Sequence, residues 1–194
     1  MAIDPRTPLS LFSIQGSPSL RSRSGWLQQL AQTRLESHVA ASRTRLLREL
    51  PPAALLHADR QAPAVRDALA TLAQAQLVIV ATPIYKAAYS GLLKTFLDLL
   101  PEGALRGKTV LPLATGGTLA HLLALDYALK PVLGALGARD ILDGVFATDA
   151  QLPAHEDSGG YVPAPELLQR LDAALQPLLE GVPRRQAHTR VLQV

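Results

Sequence analysis

Between Gly16 and Ser24 the chain reads Gly-Ser-Pro-Ser-Leu-Arg-Ser-Arg-Ser, which puts four hydroxyls (Ser17, Ser19, Ser22, Ser24) and two guanidinium groups (Arg21, Arg23) within nine residues. These are the donors that hold a phosphate monoester, and charge-assisted bonds to an anion are the strong ones. Trp26, Leu27, Leu30, Ala31 and Leu35 follow at helical spacing, predicting a helix to about Ser37. The first N–H groups of a helix have no partner inside it, and the helix dipole favours an anion at that end. Every donor a phosphate needs is therefore local. Read alone, the same segment also suits a plain helix start, with serines as caps and arginines facing water.

Two further segments carry unusual chemistry. Thr82–Gly91 (Thr-Pro-Ile-Tyr-Lys-Ala-Ala-Tyr-Ser-Gly) combines small residues with two tyrosines. It offers a flat, partly apolar ledge for a planar heteroaromatic ring, with Pro83, Ile84, Tyr85 and Lys86 as the candidate contacts. Lys86 would serve the ring or the phosphate of a second ligand. The plain alternative is a strand-to-helix turn whose tyrosines pack on a neighbour. In Thr115-Gly116-Gly117-Thr118 the glycines let the backbone approach a ligand without a Cβ in the way. The alternative there is a tight turn with Thr118 as an N-cap.

Other catalytic motifs fail. No Gly-x-Gly-x-x-Gly follows the first strand. Gly107-Lys108-Thr109 looks like the end of a P-loop, but position 102 is Glu and a strand follows instead of a helix. Histidines 38, 57, 121, 155 and 188 are scattered without ligand spacing, so no metal site is expected. Ser90-Gly91 lacks the hydrolase Gly-x-Ser-x-Gly elbow. His155-Glu156-Asp157 reads as solvated loop. With no cysteine in the chain, disulfides, thiolate metal sites and a Cys nucleophile are excluded.

The segments that must position these loops alternate in type. Leu9–Gln15 is short, apolar and turn-bounded, hence a buried strand. A weakly patterned strand is expected within 38–48, ended by Pro51-Pro52. A helix over 63–75 precedes Leu77–Ala81, the clearest strand, apolar throughout as in a parallel sheet covered on both faces. Then come a loop at Thr82–Lys86, a helix over Ser90–Leu100, a strand at Lys108–Ala114 and a helix over Leu119–Leu136 capped by Gly137. A strand at Ile141–Phe146, a loop over 147–162 and a helix at Pro165–Glu180 complete the pattern. Such crossovers require parallel strands. The expected fold is α/β, a flavodoxin-like three-layer α/β/α sandwich with a five-stranded parallel sheet in the order 2-1-3-4-5. Ligands of such sheets bind beyond the carboxyl ends of the strands, at the switch in strand order. All three unusual loops fall there. A phosphate cradle after the first strand and ring-holding loops after the third and fourth describe an FMN site.

Composition bounds the rest. At 194 residues and 48% hydrophobic content the chain suits one domain over 9–181, with a flexible extension at 1–8 and a loose basic tail at 182–194. The longest apolar run, Leu77–Ala81, is far short of the roughly 20 residues of a membrane span. Met1-Ala-Ile-Asp-Pro-Arg6 has an acid where a signal peptide needs apolar residues, so a cytoplasmic protein is expected. Residues 1–48 hold seven arginines against Asp4 and Glu36, while the remainder is slightly acidic. Such a basic segment attracts phosphorylated ligands. Nucleic acid is not expected, since stacking aromatics are scarce and no nucleic-acid-binding pattern is present.

Gly16-Ser-Pro-x5-Ser24, Thr82 to Asp98 and Leu111-Pro-Leu-Ala-Thr-Gly-Gly-Thr118 resemble the NAD(P)H-dependent FMN reductases. His121 and Asp126-Tyr127-Ala-Leu-Lys-Pro-Val-Leu133 are similar to the branch that supplies reduced flavin to an alkanesulfonate monooxygenase. The resemblance runs from about Leu9 to Gln151, and residues 38–62 depart from it. It implies that FMN is substrate as well as bound group, that NADPH or NADH stacks on its ring and passes hydride to it, and that FMNH2 leaves for the FMNH2-dependent monooxygenase. It implies FMN contacts from Ser17, Ser22, Arg23, Ser24, Pro83, Ile84, Tyr85, Lys86, Thr115, Gly116 and Gly117, and no catalytic acid or base, because the cofactors carry the chemistry. It also implies a homodimer or homotetramer. Tyr127 is similar to a tyrosine inserted in the fourth helix, where it widens one turn into a π-turn and controls flavin exchange or subunit packing. Two other readings remain on the same fold: a quinone or azo-dye reductase, and a non-enzymatic electron carrier. Such carriers are usually acidic, whereas this chain has a net charge of +3.

Overall fold

The computed structural model describes residues 9–155 and 159–180. The expected extension at 1–8, the tail at 182–194, and Glu156 and Asp157 of the acidic loop lie outside the described residues.

β1 (Leu9–Gln15), β2 (Val39–Leu46), β3 (Leu77–Tyr85) and β5 (Thr109–Gly116) build a parallel sheet with β6 (Asp140–Ile141) and β7 (Val145–Thr148) at its far edge. The order is β2-β1-β3-β5-β6, and β7 also pairs with β5. Strand residues alternate between two cores, as a period of two requires. Leu77, Ile79 and Ala81 face α1 (Arg23–Leu35) and α6 (Pro165–Leu179), which contribute Leu27, Ala31, Leu167 and Leu171. Val78 and Val80 face α2 (Pro52–Leu56), α3 (Pro63–Gln74), α4 (Gly91–Leu97) and α5 (Lys130–Ala135), which supply Leu55, Val65, Leu72, Phe96 and Leu133. The three-layer flavodoxin-like arrangement is therefore present, with its strand order.

The sheet has seven strands and not the expected five. Part of the difference lies at Pro112. Leu142 N–H donates to the Val110 carbonyl, so Val110 and Pro112 direct their backbone groups to the far edge. Proline has no N–H to continue the ladder. The edge strand accordingly breaks after Ile141 and resumes at Val145. Gly144 fits the break, since a Cβ there would lie 3.3 Å from Pro112 Cγ. The other addition is β4 (Ala88–Tyr89), antiparallel to the end of β3. Thr82–Tyr85, expected as loop, is strand. Pro83 is tolerated because its missing N–H faces the β1 side, where the β1 ladder has ended at the Gln15↔Ala81 pair.

Helix four is also different. A 3₁₀ turn (Leu119–His121) and a π-turn (Leu125–Leu129) precede α5, where hydrophobic spacing alone predicts one continuous helix; the π-turn contains Tyr127, as the family resemblance implies. Lys130 N–H bonds back five residues to the Leu125 carbonyl. Pro131 follows and has no N–H for the carbonyl four residues earlier, at Tyr127. The weak second strand is real, paired along β1 and exposed for most of its length. Pro52 begins the short α2 and does not merely end a strand, as suits proline at a first helical position.

Candidate functional site

At the carboxyl ends of β1, β3, β5 and β7 lies a cavity of about 200 Å³. Ser17, Ser19, Arg21, Ser22, Arg23 and Ser24 line it from the first loop, Pro83, Ile84 and Tyr85 from the end of β3, and Thr115, Gly116 and Gly117 from the end of β5. Ten of the eleven expected flavin contacts thus meet in one place, although they are spread over a hundred residues of chain.

The cradle is built by the turn from β1 into α1. Ser22 caps α1, its Oγ accepting from Gly25 N–H at 3.0 Å. It stands 3.0 Å from Ser24 Oγ. Ser17 is buried and its Oγ accepts from Ser19 N–H at 3.2 Å, which closes the loop on itself. The first turn of α1 packs directly on the end of β1. The Gln15 amide nitrogen lies 2.1 Å from where a Cβ on Gly25 would be, so any larger residue there would have to displace the Gln15 side chain. Arg48 Nη1 donates to Gln15 Oε1 at 2.6 Å and fixes that amide. The result is a helix N-terminus, four serine hydroxyls and two guanidinium groups around one space.

The second loop is tied to the first. Ser90 N–H donates to Thr82 Oγ1 at 3.0 Å, and Ser90 Oγ donates to the Gly16 carbonyl while accepting from Leu93 N–H at 3.1 Å. Gly16 N–H in turn donates to the Ala81 carbonyl at 2.7 Å. A Cβ on Gly16 would come within 2.8 Å of Leu93 Cβ. Lys86 and Ala87 both have positive φ (50° and 63°) and form the tip of the β3–β4 hairpin. Two left-handed residues match the strand twist of a two-residue hairpin. That turn carries Lys86 out to the surface, beyond the residues lining the cavity, while Tyr85 stays at its wall. Burial pushes the Tyr89 phenol above its ordinary 10.0, with Lys94 opposing and Asp98 adding to the shift.

Two lining residues were missed in the sequence. Asp149 follows β7, and its N–H donates to the Gly116 carbonyl at 3.1 Å. Tyr161 packs edge-on against Trp26, with 6.1 Å between ring centroids. Arg23 joins both, with Nη1 3.5 Å from Asp149 and its guanidinium 5.2 Å over the Tyr161 ring, while its Nε donates to the Leu152 carbonyl at 3.0 Å. A carboxylate just past a strand end is a signal the sequence does carry. What hides it is the break in the edge strand, which shifts that end to Thr148. Tyr127 is in the π-turn, 79% exposed. Among the described residues no cluster of His, Asp or Glu could hold a metal ion, and no helix is long and apolar enough to cross a membrane.

A parallel sheet in this order, with its cavity at the carboxyl edge and a serine- and arginine-rich turn after β1, defines the flavodoxin-like class. Within it, residues 9–152 match the family described as NADPH-dependent FMN reductase, and the chain belongs to that family. It is 49% identical to an FMN reductase (NADPH) of Escherichia coli K12 over 177 residues, covering 91% of this chain and 92% of the relative. It is 51% identical to an FMN reductase (NADPH) of Pseudomonas putida KT2440 over 170 residues, 88% of this chain and 84% of the relative. The solved apo structure of an NADH:FMN oxidoreductase superposes with a TM-score of 0.78 at 38% identity, covering 88% of each chain. The protein is an oxidoreductase that reduces FMN with NAD(P)H.

The donors present fit that substrate. The hydroxyls, guanidinium groups and helix N-terminus suit the terminal phosphate of FMN. Gly117 has open space at its Cβ position, so the backbone there is accessible to a planar ring.

Proposed function

We propose that FMN lies in this cavity with its phosphate among Ser17, Ser22, Arg23 and Ser24 and its ring against Pro83, Ile84, Tyr85, Thr115, Gly116 and Gly117. The observation that carries the reading is the convergence of these loops at one strand edge. The chemistry that FMN supplies when bound is acceptance of hydride from NAD(P)H. The chain contributes position. The cradle fixes the anionic end, and the ledge holds the ring with one face toward the second nucleotide. The backbone N–H of Gly117, the first residue beyond β5, is the donor placed to favour negative charge on the ring. Lys86, at the hairpin tip, meets the charged portion of NAD(P)H. No side chain is assigned a proton transfer.

Reduced FMN then leaves for a separate FMNH2-dependent monooxygenase that releases sulfite from alkanesulfonates. The reading also includes a cytoplasmic homodimer or homotetramer. Leu119, Leu122, Leu123 and Tyr127 expose 60, 44, 57 and 79% of their surface on the segment leading into α5. A cluster of large apolar groups of this kind marks an interaction surface. The π-turn supports a role for Tyr127 there, since such turns concentrate at functional positions.

The deciding experiment is steady-state oxidation of NADPH and of NADH against added FMN. Saturation with free FMN, and sulfite release when an alkanesulfonate monooxygenase is added, are the expected results. A tightly held flavin that reduces quinone and does not exchange would overturn the reading.

A further inference from the structure

A carboxylate within an anion pocket opposes the ligand the pocket is built to hold, and Asp149 is such a carboxylate. It lines the same cavity as the cradle serines and arginines. Its backbone is fixed, with its N–H on the Gly116 carbonyl at 3.1 Å and its own carbonyl accepting from Leu152 N–H at 3.3 Å. The loop therefore uses the main chain of Asp149, and its fold does not depend on the charge. The side chain turns to Arg23 at 3.5 Å. Arg23 has other supports, the Leu152 carbonyl and the Tyr161 ring, so it does not depend on the carboxylate for its place. A phosphate that uses Arg23 meets a cation already partnered and a like charge beside it, and like charges in contact are costly.

We propose that Asp149 limits the affinity of the cradle: it competes with the flavin phosphate for Arg23 and repels it, so that FMN exchanges as a substrate. This rests on the reading of the cavity as the FMN site. The opposite role, holding Arg23 in place for the phosphate, predicts an effect of opposite sign.

The test is titration of wild type, Asp149→Asn and Asp149→Ser with FMN and with riboflavin, followed by flavin fluorescence. The expected result is FMN binding about three- to tenfold tighter in both variants, the size of a partly exposed ion pair plus a relieved repulsion. Riboflavin, with no phosphate, binds unchanged, and the FMN dissociation rate falls with the dissociation constant. Unchanged or weaker FMN binding in the variants, with wild type still preferring FMN to riboflavin, overturns the role of Asp149 alone. A wild type that does not prefer FMN to riboflavin overturns the cavity reading and this inference with it.

Discussion

Ser90 Oγ donates to the Gly16 carbonyl, joining the residue that caps α4 to the first residue beyond β1 across 74 positions of sequence. Both groups are buried, so the bond is one that water cannot replace. It sets the distance between the turn after β1 and the end of β3, the two segments proposed to hold the phosphate and the ring. Ser90→Ala removes this bond and the cap on α4 together. The expected cost is about 2–3 kcal/mol of stability, measured by urea unfolding. FMN affinity should fall as well, because the two loops lose their common tie. A variant of unchanged stability would show that the link is dispensable.

On the proposed placement of FMN, the charge and hydroxyl donors of the turn after β1 act on the phosphate and not on the ring. Replacing Ser22, Arg23 and Ser24 together by Ala should weaken FMN binding at least several-fold, each charge-assisted bond contributing about 1.5–3 kcal/mol. Riboflavin binding should change little. Equal losses for both ligands would place the phosphate elsewhere.

The cradle was legible in the sequence because its donors are contiguous and lie between an apolar run and a helical pattern. β3 was legible to Ala81 for a similar reason, since Leu77–Ala81 is buried on both faces. What followed was misread at Pro83, because a proline ends a strand only if its missing N–H is needed, and that depends on where β1 stops. The break at Pro112 is likewise a relation between two strands. Asp149 and Tyr161 reach the cavity through that break and through a turn against Trp26, neither of which periodicity can show. The π-turn at Tyr127 was legible only through the family resemblance, because a change of one residue in helical register is smaller than hydrophobic spacing can resolve.

Lys108 gives a pH dependence of known sign. Its ammonium donates to the carbonyls of Ala73 at 2.9 Å and Ala75 at 2.6 Å, at the C-terminal end of α3. Burial lowers its pKa below the ordinary 10.5. The unfolded chain therefore holds this proton more tightly than the folded one, and stability rises with pH where the two states differ. The penalty is present in full below the folded pKa and is relieved as pH approaches 10.5. Urea midpoints measured from neutral pH up to that value should show an upward contribution in wild type that Lys108→Met lacks. Identical pH profiles would show that the folded group titrates normally.

Tyr127 lies in the middle of the π-turn at Leu125–Leu129, where the backbone holds one residue more than an α-helix needs. Deleting it should let the segment regain α-helical register up to Pro131. Leu125 and Leu129 are buried and anchor either end of the turn in the core, so the fold should survive. Its exposed ring and its neighbours Leu119, Leu122 and Leu123 would no longer present the same surface. The expected result is an altered sedimentation coefficient, or an altered rate of FMN exchange, with the far-ultraviolet circular dichroism retained. A deletion variant with the assembly size and turnover of wild type would show that the extra residue serves neither packing between subunits nor passage of flavin.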